Sequence, residues 1–219
     1  MPRESAARRK ERAKKIVRAL ARAYPDVTTA LRWRNPFELL IATILSAQCT
    51  DAKVNQVTQE LFAKYGSAEA LADAPPSEVE RIVRPTGFYR QKARSIQSAA
   101  GDLVEKFGGE VPASLDELVT LRGVARKTAN VVLGNALGVP GLAVDTHMKR
   151  VNQRLGLVKS DDPVKIEEEL TVLVPRAGWT TYTNRVIHHG RVCCDARRPQ
   201  CEACPLHALC PFPRAGEQR

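Results

Sequence analysis

The 219-residue sequence has no apolar run approaching the roughly 20 residues needed to span a bilayer, so no membrane helix is expected. Its N-terminal segment lacks the continuous apolar region of a secretory signal peptide. No segment sustains apolar/polar alternation at period two, which argues against strands and for an all-α protein. Internal repeats and low-complexity tracts are also missing. Acidic charge is in deficit, with 24 Asp+Glu against 34 Lys+Arg and a net charge of +10. Such a surplus suits a polyanionic partner without identifying one. A protein without a secretion signal is expected in the cytoplasm, where six cysteines read better as metal ligands than as disulfides.

What is present is helical punctuation. Residues 3–22 carry nine Lys/Arg and two Glu, with Ile16, Val17 and Leu20 as a short apolar stripe. This reads as a solvated amphipathic helix ended by Pro25, in preference to a transit peptide. Asn35-Pro36 is an N-cap followed by a first-turn proline. Phe37, Leu40, Ile41, Ile44 and Leu45 follow at core-helix spacing. That helix delivers Ser46-Ala47-Gln48 to its end. A helix from Asp51 closes at Gly66, and a short one covers 68–72. Ser77 and Glu80 suggest a capping box for a helix that Pro85 ends. Thr86-Gly87-Phe88-Tyr89 is a loop before a long helix that Gly108-Gly109 stop. Asp145 precedes, and is placed to cap, a helix carrying Met148, Val151 and Leu155 that Gly156 ends; further helices are expected from Asp162-Pro163 and over 179–189.

The stretch 121–145, LRGVARKTANVVLGNALGVPGLAVD, organises the rest. Ser114 and Glu117 suggest a second capping box, starting a helix with Leu115 and Leu118 inward. Gly123 turns the chain. Lys127 then falls on the first turn of a helix burying Ala129, Val132, Leu133 and Ala136, which Gly138 and Pro140 end. This is a helix-hairpin-helix, whose glycine turn leaves N–H groups at a helix N-terminus for a phosphate. Arg122, Arg126 and Lys127 add positive charge there.

LRGVARKTANVVLGNALG followed by VDTHMKRV resembles the helix-hairpin-helix, catalytic lysine and catalytic aspartate of endonuclease III, over about residues 35–210. The resemblance implies a bifunctional DNA glycosylase and abasic-site lyase of base excision repair, acting on oxidised pyrimidines. It implies an all-α helix-hairpin-helix glycosylase fold of two helical domains. Residues 29–139 would form the six-helix barrel domain. Residues 1–28 and 140–219 would form the iron–sulfur domain, with DNA in the groove between them. Lys127 and Asp145 would be catalytic. Gln48 and Phe88 would enter the base stack, where the family's usual residue at Phe88 is a leucine. Arg122 and Ala125 replace a proline and a glycine of the family's LPGVGRKTAN, and Ala125 puts a methyl group where a phosphate would approach. DNA contacts are expected from Arg122, Gly123, Ala125, Arg126, His147, Arg150 and Arg191, although a solvated face explains His147 and Arg150 almost as well. The implied partner is double-stranded DNA with a damaged base or abasic site, bound by a monomer with no membrane association.

Cys194, Cys201, Cys204 and Cys210 stand at C-x6-C-x2-C-x5-C, close enough to enclose one metal centre. Spacing alone leaves zinc and iron–sulfur open; the match to the family's loop implies a 4Fe–4S cluster. Cys193 adjoins a ligand and could compete with it. Cys49 reads as a buried small apolar residue. An amine nucleophile at the sugar C1′ leaves an imine, which acidifies the C2′ proton and permits β-elimination. Neighbouring cations and partial burial are expected to help Lys127 shed its proton. Two rivals remain. A monofunctional glycosylase of the same superfamily is disfavoured by Lys127 and by Thr43, where that branch carries a glutamate. A non-catalytic DNA-binding module leaves the joint presence of Lys127 and Asp145 unexplained.

Overall fold

The computed structural model describes residues 4–212, and among them there is no strand. Eleven α-helices appear in order: α1 Ala6–Ala23, α2 Pro36–Leu45, α3 Asp51–Lys64, α4 Ala68–Ala72, α5 Pro76–Val83 and α6 Tyr89–Phe107, then α7 Leu115–Leu118, α8 Arg126–Ala136, α9 Thr146–Arg154, α10 Pro163–Leu173 and α11 Trp179–Val192. Part of the N-terminal stretch expected to be helical, residue 3, lies outside the described residues. None of the helices is long and apolar enough to cross a membrane. The chain divides into two compact units, Thr29–Gly141 and a second made of Met1–Thr28 with Leu142–Arg219.

In the first unit α2 is the axis. Asn35 caps it by accepting from the Glu38 N–H at 2.9 Å, and Pro36 occupies the first turn. The sequence stripe suggests one buried face, yet every residue from Phe37 to Leu45 is buried. α3, α6 and α8 all pack on it. Glu38 is carried into this core at 1% exposure, and is accommodated because it accepts from the Arg34 N–H and guanidinium. Thr43 points inward too, and its hydroxyl donates to Leu39 O at 2.7 Å.

Neither sequence-expected capping box forms. α5 begins at Pro76 after Pro75 with no side-chain cap, which leaves Ser77 inside the first turn. Ser114 does occupy the N-cap of α7, but its side chain makes no capping bond. Proline supplies the fixed φ that starts α5 instead. The long α6 ends as expected: Gly108 and Gly109 both take positive φ, and Gly109 N–H bonds Leu103 O at 3.0 Å.

In the second unit α1 packs on α10 and α11 through Ala13, Ile16, Ala19 and Leu20. The Tyr182 hydroxyl of α11 donates to Asn152 of α9 at 2.5 Å, and Asn152 donates to Met148 O. Asn152 is fully buried and thereby satisfied, so this polar pair fixes α9 against α11. α11 runs three residues beyond the sequence expectation, to Val192, and carries the chain directly into the cysteine loop.

Candidate active site and iron–sulfur loop

The hairpin is built around Gly123. Val124 N–H bonds Leu121 O at 3.1 Å, and Gly123 sits third in that turn with φ +81°. A Cβ there would lie 2.9 Å from Ser95 Cβ of α6, so both conformation and space demand glycine. Arg122 occupies the position before it, where a family proline would fit. Its N–H, which proline lacks, donates to Asp102 at 3.4 Å.

Ala125 is the N-cap of α8, with φ −83° and ψ 164°. That is ordinary extended backbone, so alanine is unstrained where the family has glycine. No side chain caps α8. The helix start therefore presents an N-terminal dipole next to Arg122, Arg126 and Lys127, all exposed. Lys127 is the second residue of the helix. The partial burial expected for it is absent: it is exposed. Ala129, Val132 and Leu133 hold α8 in the core below.

Gln48 and Phe88 are the only non-glycine residues with positive φ among those described, at +52° and +47°. Such backbone is costly for a residue with a Cβ and concentrates at functional sites. Gln48 is exposed beyond the end of α2. Phe88 is 65% exposed at the N-cap of α6, so it is no core residue.

Asp145 is the N-cap of α9, half-buried, its Oδ1 accepting from Met148 N–H at 2.7 Å. His147 and Arg150, expected at phosphates, are engaged within the protein. Arg150 donates to Gly190 O at 2.8 Å and to Cys194 O at 3.2 Å, and contacts His147 Nδ1 at 3.0 Å. Burial pulls the His147 imidazole below its usual range. Arg191 is exposed near the end of α11.

All six cysteines are free. Cys194, Cys201, Cys204 and Cys210 line one mostly apolar pocket, and Cys193 lines it with them. Arg154 donates to Cys194 Sγ at 3.3 Å, to Asp195 O at 2.6 Å and to Ala196 O at 2.8 Å. Leu206 N–H donates to Cys204 Sγ at 3.4 Å. Burial raises the Cys201 and Cys210 thiols above their usual range. Thiols gathered around one apolar pocket suit a cationic centre, which deprotonates them on coordination. A different trio, His189, Cys193 and Cys204, has ligand atoms within 4.8 Å of one another. Cys193 is buried with Sγ 3.8 Å from Gln200 O, and burial pushes its thiol up to about 12.

Comparison with known proteins settles the ancestry. Residues 41–176 match the model of the HhH-GPD superfamily base excision DNA repair protein, and residues 194–210 match the iron–sulfur binding domain of endonuclease III. The second match begins at Cys194 and leaves Cys193 out. Endonuclease III of Synechocystis sp. is 50% identical over 210 residues, spanning 95% of this chain and 96% of the relative. That of Bacillus subtilis is 46% identical over 197 residues, 90% and 89% of the two chains. Among solved structures, a non-covalent endonuclease III–DNA complex superposes with TM-score 0.90 at 45% identity, covering 96% of this chain and 99% of the other. A trapped endonuclease III–DNA covalent intermediate matches with the same figures. A hairpin of this geometry, a lysine on its second helix and a four-cysteine iron–sulfur loop in one chain have a single common explanation: the chain belongs to the endonuclease III family of base excision DNA repair enzymes.

Proposed function

We propose that this protein, as a cytoplasmic monomer acting on nucleoid DNA, excises oxidised pyrimidines from the duplex and then cleaves the abasic site, with Lys127 as nucleophile and Asp145 as its carboxylate partner. The observation that carries the reading is the place of Lys127. It stands one turn behind a glycine hairpin, on an uncapped helix N-terminus flanked by Arg122 and Arg126. The hairpin N–H groups take a backbone phosphate, which brings the neighbouring sugar to the lysine. The neutral Lys127 amine attacks C1′, and the base departs with its bonding electrons and the proton that the amine sheds; the C1′–O4′ bond then opens, O4′ takes a proton from water, and a protonated imine is left. The resulting imine acidifies C2′; loss of that proton expels the 3′ phosphate by β-elimination. Asp145 stabilises the positive charge developing on the sugar.

Extruding the base leaves a gap, and the two strained, exposed residues Gln48 and Phe88 fill it. Thr43 supports lyase over monofunctional chemistry, since its hydroxyl is used inside α2 and offers no carboxylate. Cys194, Cys201, Cys204 and Cys210 would hold the cluster, which would tie residues 194–210 into a fixed loop presenting Arg197 and Arg198 to phosphates, beyond Arg191 near the end of α11.

Borohydride trapping on duplexes carrying single oxidised pyrimidines or an abasic site tests the reading. The wild type should form a covalent adduct and nick the strand, whereas Lys127→Gln should bind the same duplexes and form none. Full trapping by Lys127→Gln would place the nucleophile elsewhere.

A further inference from the structure

Lys92 is the only buried lysine among the described residues, at 5% exposure. It lies on the first turn of α6 and grips the bend that precedes that helix from both sides. Its Nζ donates to Thr86 O at 2.7 Å, just before Gly87, and its backbone N–H donates to Phe88 O at 3.0 Å, just after. Between these anchors Gly87 and Phe88 both have positive φ, +70° and +47°. Thr86 is itself buried, and its hydroxyl is tied back to Val83 O at 2.8 Å.

A lysine in a helical core is an expensive choice. Burial pulls its pKa below the usual lysine range, and a methionine or leucine would fill the space without a charge to desolvate. Packing alone therefore gives no reason for it, whereas holding a strained loop does. A left-handed phenylalanine needs its surroundings to over-determine its conformation. A charged donor on Thr86 O is stronger than a neutral one. We propose that Lys92 is the positioning residue for the Phe88 wedge, its ammonium pinning the Thr86 carbonyl so that the Gly87–Phe88 bend presents the ring to the base stack. This rests on the reading of Phe88 as a wedge.

The test is a double-mutant cycle on the full-length, cluster-loaded enzyme, using Phe88→Ala, Lys92→Met and the double variant. Each is assayed in single turnover on one lesion in a fully paired duplex and on the same lesion in a pre-opened mismatch bubble. The readout is the ratio of the bubble rate to the paired rate, with melting temperature recorded beside it. Losing one stacked ring should raise the ratio in Phe88→Ala by about 5- to 150-fold, the span of a base–aromatic stack. Lys92→Met should raise it in the same direction, Lys92→Arg should restore it, and Lys92→Met should add nothing in the Phe88→Ala background. A purely structural lysine would lower the melting temperature and slow both substrates equally, leaving the ratio at the wild-type value. An unchanged ratio in Lys92→Met, or an additive double variant, overturns the inference while sparing the wedge. A wild-type ratio in Phe88→Ala overturns the wedge and the inference with it. Lys92→Gln, with a neutral polar head for the same pocket, gives the same readings should the methionine variant not fold.

Discussion

At the scale of single residues, the sequence pointed to chemistry more readily than to environment. Lys127 and Asp145 are legible because each sits beside a strong local signal, a glycine turn and a helix start. Exposure carries no such mark: nothing around Lys127 distinguishes an exposed lysine from a half-buried one, and nothing around Lys92 announces a buried one. Left-handed backbone at Gln48 and Phe88 is equally silent, because neither residue type favours it. On the proposed mechanism Asp145 has two separable duties. Its Oδ1 caps α9 through Met148 N–H, and its charge is free to act on the substrate. Asparagine caps about as well as aspartate but carries no charge. Asp145→Asn should therefore melt like the wild type yet turn over roughly 10²- to 10⁴-fold more slowly, with duplex binding retained. Asp145→Ala should lose the cap as well, at about 1 kcal/mol of stability. Wild-type turnover by Asp145→Asn would show that the carboxylate charge is dispensable.

At the scale of elements, helices whose starts are marked by Asn35, Asp145 or Asp162 appear where their caps put them, because an N-cap specifies a position as well as a type. The Ser77 and Ser114 boxes failed for the opposite reason. A serine and a glutamate at the right spacing are common, and prolines or tertiary packing can set the helix start first. The complete burial of α2 was hidden because periodicity reports one face, while the second face is covered by helices distant in sequence. The cysteine loop divides the same way. Spacing selects four thiols, but only folding shows that Cys193 is buried against Gln200 while Arg150 and Arg154 bind the Cys194 segment. Cys194→Ser should lose iron, sulfide and the brown colour, and with them the loop's stability, whereas Cys193→Ser should keep a full cluster. Iron and sulfide analysis of both purified variants decides the ligand; loss confined to Cys193→Ser would reverse the assignment.

At the scale of the whole molecule, the second unit draws on both ends of the chain, with α1 packed on α10 and α11. No local pattern could have told α1 which helices to join, since an amphipathic stripe names no partner; that expectation came through the family resemblance. Net charge, by contrast, is read directly, and its consequence is thermodynamic rather than architectural. A protein of charge +10 binds duplex DNA largely by releasing counterions, so affinity should fall steeply with salt. The residues responsible are not interchangeable. Arg122 and Arg126 are exposed at the uncapped start of α8, whereas the Arg150 guanidinium is committed to Gly190 O and Cys194 O. Measured on a duplex bearing an uncleavable abasic analogue, Arg122→Ala or Arg126→Ala should each reduce the slope of log affinity against log salt by about 1. Arg150→Ala should instead leave the slope near the wild-type value and lower cluster retention and melting temperature. A reduced slope in Arg150→Ala with the cluster intact would return that arginine to the phosphate contacts that its position after Asp145 first suggested.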